Sequence, residues 1–118
     1  MKMAHTCVRV KDLAASVKFY QEAFDFEESR RRDFPDSKFT LVYLTLPGDD
    51  YELELTYNYD HAAYDLGDGY GHIAIKAENL EALHEQHKSK GFTVTDLKGL
   101  PGTCLLYTSD AADDGESV

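Results

Sequence analysis

The chain has 118 residues, which is enough for one domain with a modest hydrophobic core. Hydrophobic residues make up 42% of it and charged residues 29%, as in an ordinary globular protein, and the formal net charge of −10 argues against nucleic acid or an anionic membrane as the main partner. Cys7 and Cys104 show no short pairing pattern, and no apolar run reaches transmembrane length. We therefore expect a reducing, cytoplasmic location.

The first half of the chain has the pattern of a β-α-β-β-β unit. Asp12 is a plausible helix N-cap, and apolar residues follow it at spacings of four, three and four, which is typical of one helix face. The other segments are rich in β-branched and aromatic residues and are separated by polar turns. The predicted elements are strands over residues 3–10, 26–34, 38–46 and 51–58, and a helix over residues 13–24.

The strand over residues 51–58 alternates apolar and polar residues without a break. The apolar face can pack on a core, whereas the polar face carries Glu52, Glu54, Thr56 and Asn58. Two acids on one strand face usually point at water. A solvated face and a chemical site are therefore both open interpretations of this strand.

The second half begins with a polar connection rich in Gly and Tyr over residues 59–70. We predict a strand over residues 72–77, a helix that starts after Asn79 and ends near Gly91, and a strand over residues 92–97. His84 and His87 lie among charged residues of this helix, which favours a solvated face over a second metal site.

An internal repeat links the two halves. Residues 5–15, HTCVRVKDLAA, align without a gap to residues 72–82, HIAIKAENLEA, at an offset of 67 residues (72 minus 5). Each copy reads as a strand, a capping residue and a helix, so duplication explains the match better than chance. The repeat makes His5 and His72 equivalent positions.

Two equivalent histidines and Glu54 supply nitrogen and oxygen donors suited to a divalent transition metal. Their wide separation in sequence makes this a weak signal by itself. Arg9 shares a strand face with His5, so it could hold a substrate carboxylate or lie on the surface. Asn58 shares the face of Glu54 and could bind a polar substrate or simply end the strand.

Several motifs resemble bacterial glyoxalase I of the vicinal oxygen chelate superfamily: HTCVRV at residues 5–10, FY at 19–20, ELTYN at 54–58 and YGHIA at 70–74. The resemblance covers residues 1–103. It implies an α+β fold of two βαβββ modules, with module one over residues 1–58, a linker over 59–70 and module two over 71–103. It also implies a homodimer with metal sites at the subunit interface.

By the same resemblance, His5, Glu54 and His72 are three of four metal ligands. Arg9, Asn58 and Lys98 would contact glutathione, and the metal would be Ni²⁺, with Co²⁺, Mn²⁺ and Zn²⁺ as alternatives. The implied reaction isomerises the hemithioacetal of methylglyoxal and glutathione to S-lactoylglutathione, with Lewis-acid assistance from the metal. The resemblance implies that metal-site glutamates transfer the proton: the last-strand glutamate of the family is the main candidate, and Glu54 is the candidate among the residues present.

The resemblance ends near Cys104. The family continues with two strands, a DPDG-like turn and the fourth ligand glutamate, whereas residues 104–118 read CLLYTSDAADDGESV. We expect a non-family, disordered tail on a truncated second module, in which residues 103–107 could at best add a strand. The missing ligand and the missing edge of the second sheet predict poor folding and low activity of this chain.

Two other functions remain open. His5, His72 and Glu54 could form a facial Fe²⁺ site of an extradiol-type dioxygenase, although Arg9 and Asn58 argue against it. A non-catalytic small-molecule-binding module of the same fold commonly lacks metal ligands, so the presence of all three disfavours it.

Overall fold

The computed structural model describes residues 1–97 and the backbone of a short strand at residues 106–107. These residues belong to two compact units, the first of which covers Met1–Asp65 and the second of which starts at Leu66. The division falls inside the predicted linker. The elements, in chain order, are β1 His5–Arg9, α1 Leu13–Phe24, β2 Glu27–Phe34, β3 Phe39–Thr45, β4 Glu52–Asn58, β5 Ile73–Ala74, α2 Leu80–Ser89 and β6 Leu106–Tyr107.

A four-stranded sheet in the order β1-β4-β3-β2 forms the first unit. β1 pairs with β4 in parallel, and the other two pairings are antiparallel. The chain passes through α1, β2 and β3 between β1 and β4. This confirms the predicted β-α-β-β-β unit and the α+β fold. The predicted strands were too long by one to three residues at their ends.

Helix α1 begins where Asp12 accepts a hydrogen bond from the backbone N–H of Ala15 at 3.0 Å, and it ends at Asp25 in the left-handed region, with φ of 62°. Of its predicted apolar stripe, Val17, Tyr20 and Phe24 are buried and Leu13 is half-buried. The core also contains Val10, Val42, Leu44, Leu53 and Leu55. Val42 lies opposite Leu55 and Leu44 opposite Leu53, so these four share one sheet face.

The second unit is described more sparsely. β5 is only two residues long and pairs antiparallel with β6, which falls inside the segment 103–107 that the sequence allowed as a strand. The predicted strand over residues 72–77 was therefore too long. Residues 92–97 form no strand, so that prediction was wrong. Within the described part of the chain, no helix is long and apolar enough to cross a membrane.

His87 corrects a second expectation. It was predicted to lie on a solvated helix face, yet it is only 2% exposed and its ring packs edge-on against Phe92 at 5.8 Å. His87 lies on the same helix face as the apolar residues Leu80 and Leu83. It is buried because that face packs inward. His84 is half-buried, and its Nε2 lies 2.7 Å from the carbonyl oxygen of Thr95.

The two copies of the repeat have the same local geometry. Asn79 caps α2 as Asp12 caps α1: its side chain accepts a hydrogen bond from the N–H of Ala82 at 3.0 Å. The backbone angles of the two caps, −124° and 97° against −129° and 94°, agree closely. A capped strand-helix unit therefore recurs at the predicted offset.

Candidate metal centre

His5 and Glu54 meet on the polar face of the first sheet. Their strands β1 and β4 are parallel neighbours, and His5 Nε2 lies 3.1 Å from Glu54 Oε2. The imidazole side chain is 41% exposed and the carboxylate side chain 10%. The pair thus combines a buried carboxyl group with an exposed imidazole nitrogen.

Burial of Glu54 rules out the solvated interpretation for this acid. The residue is 8% exposed, and an ionised carboxylate is costly to bury unless its oxygens have partners. Thr56 supplies one: its hydroxyl donates to Glu54 Oε1 at 2.9 Å. His5 faces the other oxygen. Both carboxylate oxygens are therefore oriented by neighbours.

Cys7 extends this hydrogen-bonded chain. Its Sγ lies 3.1 Å from Thr56 Oγ1. Because the single Thr56 proton goes to Glu54, the Cys7 thiol must be the donor to Thr56, and it must keep its proton to do so. Desolvation raises the pKa of Cys7, which agrees with a neutral thiol. Cys7 therefore has the supporting role of a small strand residue and is not a nucleophile.

Tyr43 lies beside the pair from the neighbouring strand. It is the cross-strand partner of Glu54, it is buried, and its ring contacts the His5 imidazole in a T-shaped arrangement with centroids 5.7 Å apart. Burial raises the pKa of Tyr43, and a hydrogen bond with the Glu54 carboxylate raises it further. Tyr43 therefore remains a neutral phenol next to the carboxylate.

Glu52, the second acid of the polar face, has a different partner. Arg30 donates from Nε to Oε2 at 3.2 Å and from Nη2 to Oε1 at 3.0 Å, and Ser29 Oγ lies 2.8 Å from Oε2. The Arg30 guanidinium holds the pKa of Glu52 below its ordinary value. The same guanidinium stacks on Tyr43, with its Cζ 3.8 Å from the ring centroid.

The predicted substrate contacts lie further along the same sheet face. Arg9 is exposed and is the cross-strand partner of Thr56. Asn58 donates from Nδ2 to the Tyr64 hydroxyl at 3.0 Å, which fixes the orientation of its amide. The ring of Tyr64 in turn stacks on His61, with centroids 4.2 Å apart.

The structure brings together only part of the predicted ligand set. His72 is exposed, directly precedes β5 and belongs to the second unit. Among residues 1–97, no group of three or more His, Cys, Asp or Glu side chains could hold a metal ion. Lys98, residues 99–105 and the tail beyond Tyr107 lie outside the described residues. Of the predicted ligands, the structure therefore brings His5 and Glu54 together.

This pair fits a divalent transition metal. Two donors bound at right angles to one ion, each about 2.0–2.2 Å from it, lie about 3 Å apart, and His5 Nε2 and Glu54 Oε2 are 3.1 Å apart. Imidazole nitrogen and carboxylate oxygen are donors for Ni²⁺, Co²⁺, Fe²⁺ and Zn²⁺ alike. The Thr56 hydrogen bond orients the carboxylate in the way that outer-sphere partners orient metal ligands.

Sequence reasoning missed Tyr43 and Arg30. Tyr43 lies in a strand whose buried residues point to both faces of the sheet. The face that carries the Tyr43 side chain could therefore be assigned only from the register against Glu54. Arg30 was taken as part of a solvated run, 30–32. The sequence did contain one signal: residues two apart in a strand lie on the same face, so Glu52 shares the face of Glu54.

The first unit has the βαβββ architecture of the vicinal oxygen chelate class. The chain belongs to the Glyoxalase/Bleomycin resistance protein/Dioxygenase superfamily, whose family model matches residues 2–114. The matched range extends past Cys104, where the sequence predicted the resemblance to end.

Similar proteins narrow this class. Lactoylglutathione lyase of Neisseria meningitidis serogroup A is 39% identical over 102 residues, which cover 84% of this chain and 73% of that protein. The trypanothione-dependent glyoxalase I of Leishmania major superposes with a TM-score of 0.80 at 33% identity and covers 97% of this chain and 82% of that one. Glyoxalase I of Zea mays superposes with a TM-score of 0.81 at 36% identity, over 96% of this chain and 42% of that one.

Proposed function

We propose that this protein is a lactoylglutathione lyase, which isomerises the hemithioacetal of methylglyoxal and glutathione to S-lactoylglutathione. The single observation that carries this proposal is the His5–Glu54 pair, in which a buried and oriented carboxylate lies 3.1 Å from an accessible imidazole. The lactoylglutathione lyase and glyoxalase I relatives support it independently.

His5 and Glu54 would hold the metal, with His72 and a further ligand completing the set. A bound divalent metal supplies Lewis acidity to the substrate oxygens. Ni²⁺ is the ion we favour, with Co²⁺, Mn²⁺ and Zn²⁺ as alternatives. We further propose a cytoplasmic homodimer, in line with the low cysteine content.

Glu54 would be the carboxylate that moves the proton. It would take the proton from one carbon of the hemithioacetal and return it to the adjacent carbon, so that no atom is gained or lost. Thr56 would orient one oxygen of Glu54 throughout this transfer. The buried Tyr43, which lies beside Glu54 on the neighbouring strand, would keep water away from this carboxylate.

Arg9 and Asn58 would hold the glutathione part of the substrate. The exposed guanidinium of Arg9 can bind a carboxylate by two parallel hydrogen bonds. Asn58 presents an amide whose orientation Tyr64 fixes. Lys98 stays a proposed third contact on the basis of the resemblance alone. Binding energy from this remote part of the substrate would position the reacting carbons.

The proposal is tested with the 118-residue protein loaded with Ni²⁺, mixed with methylglyoxal and glutathione, and followed by thioester absorbance. We expect lyase activity in the wild-type protein and loss of both bound Ni²⁺ and activity in Glu54→Ala. Glu28→Ala is the matched control, because it removes a carboxylate that is ion-paired with Arg31 outside the site. Full Ni²⁺ content in Glu54→Ala would remove Glu54 from the ligand set. Inactivity with every metal, persisting after the family's last-strand glutamate is restored, would refute the lyase.

A further inference from the structure

Three strands of the first sheet contribute to a network that ends at the proposed metal ligands. Arg30 comes from β2, Tyr43 from β3 and Glu52 from β4. Arg30 contacts both of the others: its guanidinium bonds to Glu52 and covers the ring of Tyr43. Tyr43 then contacts His5. The network therefore reaches the ligand pair from the side opposite to Thr56 and Cys7.

Tyr43 is the element of this network that touches the ligands. Its ring meets the His5 imidazole at an interplanar angle of 81°, and its backbone pairs with that of Glu54. A buried aromatic ring in this position restricts the imidazole to a narrow range of orientations. The position of the His5 nitrogen thus depends on where the Tyr43 ring is held.

Arg30 holds that ring through a forked ion pair. Two parallel N–H···O bonds to Glu52 fix the plane of the guanidinium, which is more specific than a single charge contact. A planar cation fixed over the ring face retains the ring by cation–π attraction as well. Ser29 adds a hydrogen bond to the same carboxylate.

The ion pair also controls which acid is available to a metal. Glu52 and Glu54 lie two residues apart on one strand face. Arg30 engages both oxygens of Glu52, whereas Glu54 is left to face His5. The local charge of Glu52 is thereby compensated.

We propose that Arg30 and Glu52 are a positioning pair that holds Tyr43 against His5 and Glu54 and so presets the ligand geometry of the metal centre. This inference rests on the proposed metal site of the lyase. Loss of an outer-sphere partner commonly lowers metal affinity about 10- to 100-fold. We expect a loss of about 10-fold for Arg30→Ala, since the ligands themselves remain.

A matched control lies one residue away. Arg31 forms the same kind of forked pair, with Glu28, through bonds of 3.2 Å and 2.9 Å. The two neighbouring residues of β2 point to opposite faces of the sheet, so Arg31 does not contact Tyr43. Arg31→Ala removes an equivalent ion pair from the same strand and should leave metal affinity unchanged.

The first experiment measures Ni²⁺ affinity of the full-length variants by calorimetric titration, with unfolding curves recorded in parallel. Arg30→Ala and Glu52→Gln should each weaken Ni²⁺ binding about 10-fold. Arg30→Lys should restore part of the affinity, because it keeps the charge but not the fork. The Co²⁺ absorption spectrum should shift in Arg30→Ala and stay unchanged in Arg31→Ala.

The second experiment needs no metal. The NMR signals of the His5 ring depend on the orientation of the Tyr43 ring next to it, and a His5→Gln variant assigns them. We expect these signals to move in Arg30→Ala and to stay in place in Arg31→Ala. This measurement remains interpretable for a variant with altered stability, because the signals report one ring contact in the folded protein.

The outcomes separate the inference from the proposed function. Ni²⁺ binding without lyase activity, persisting after the family's last-strand glutamate is restored, refutes the proposed function, while the contrast between Arg30 and Arg31 still decides the inference. Equal Ni²⁺ affinity in wild type and Arg30→Ala overturns the positioning role even in an active lyase. If the wild-type protein binds no metal, unmoved His5 signals in Arg30→Ala overturn it, and moved signals support it.

Discussion

The two capped strand-helix copies begin alike and end in different surroundings. Asp12 and Asn79 cap their helices with the same bond and nearly the same backbone angles. Yet α1 buries five residues, whereas α2 buries one. β1 joins a four-stranded sheet, and β5 joins a two-residue pairing. Equal local signals have therefore produced unequal packing in the described parts of the two units.

The difference shows how little of helix stability a cap provides. A cap contributes about 1 kcal/mol, while each large apolar side chain that is fully buried contributes about 1.5–3 kcal/mol. Buried side chains of α1 thus outweigh its cap several times. α2 depends far more on its own local interactions, because most of its side chains stay exposed or half-buried.

One pair of equivalent positions is nevertheless buried in the same way in both copies. Tyr20 and His87 are 67 residues apart (87 minus 20), and both are ring side chains buried to 2% exposure or less. Each packs in a T-shape on a phenylalanine beyond its helix, Tyr20 on Phe26 and His87 on Phe92. The repeat thus keeps the anchoring ring even where the rest of the packing differs.

The largest effect expected is from removing these anchors. Tyr20→Ala should lower the free energy of unfolding of the first unit by about 3–5 kcal/mol, since it opens a cavity in a well-packed core. His87→Ala should cost about 1–2 kcal/mol. Urea unfolding gives the totals, and hydrogen exchange shows whether loss of protection stays within α2 for His87→Ala. Equal costs would mean that the two units pack equally well.

The caps come next. Asp12→Ala and Asn79→Ala should each cost about 1 kcal/mol of helix stability, because each leaves one N–H of the first turn without its partner. The exchange variants Asp12→Asn and Asn79→Asp keep the bond and serve as controls. Amide exchange in the first turn measures the effect. Fraying should be greater at Asn79, where burial does not hold the helix, and equal fraying would contradict this comparison.

A gain of stability is expected at Ser16. Its Oγ is fully buried and has no hydrogen-bond partner among the described residues, so Ser16→Ala should stabilise the first unit by up to about 1 kcal/mol. The equivalent position in the second copy is Leu83 (16 plus 67), which is half-buried. Thermal unfolding measures the change. A clear loss of stability would reveal a polar contact of Ser16 outside the described residues.

The smallest effect concerns an exposed pair at the entry of β1 and β4. Lys2 holds the pKa of Asp50 below its ordinary value of 3.8. Because the folded pKa is the lower one, the contribution of Asp50 is complete above pH 3.8 and is lost as pH falls through the folded value. Both side chains are exposed, so the effect should be slight and should vanish in salt. Asp50→Asn compared with wild type in acid unfolding tests it.

Much of the first unit could be predicted from the sequence. Strand alternation, helix spacing and cap residues are local signals, and they located β1, α1, β2, β3 and β4 to within a few residues. The same signals failed over residues 92–97, where a segment of strand-like composition formed no strand. A strand needs a neighbour to pair with, and a local pattern contains no information about that neighbour.

The candidate site could likewise be predicted only in part from the sequence. The repeat and the resemblance singled out His5 and Glu54, and the structure places these two in contact. The role of Glu52 was left unassigned, because two acids at alternate positions look equivalent in a strand. Only the neighbouring strand distinguishes them: Arg30 pairs with Glu52, and Tyr43 lies opposite Glu54.

The sequence by itself determined the elements, the repeat and the donor types of the site, because periodicity, capping and side-chain chemistry are properties of neighbouring residues. The tertiary structure alone decided that Glu54 is buried, that His5 reaches it and that Arg30, Tyr43 and Glu52 surround the pair. These facts depend on sheet order and register, which bring together side chains up to 49 positions apart in the chain (54 minus 5).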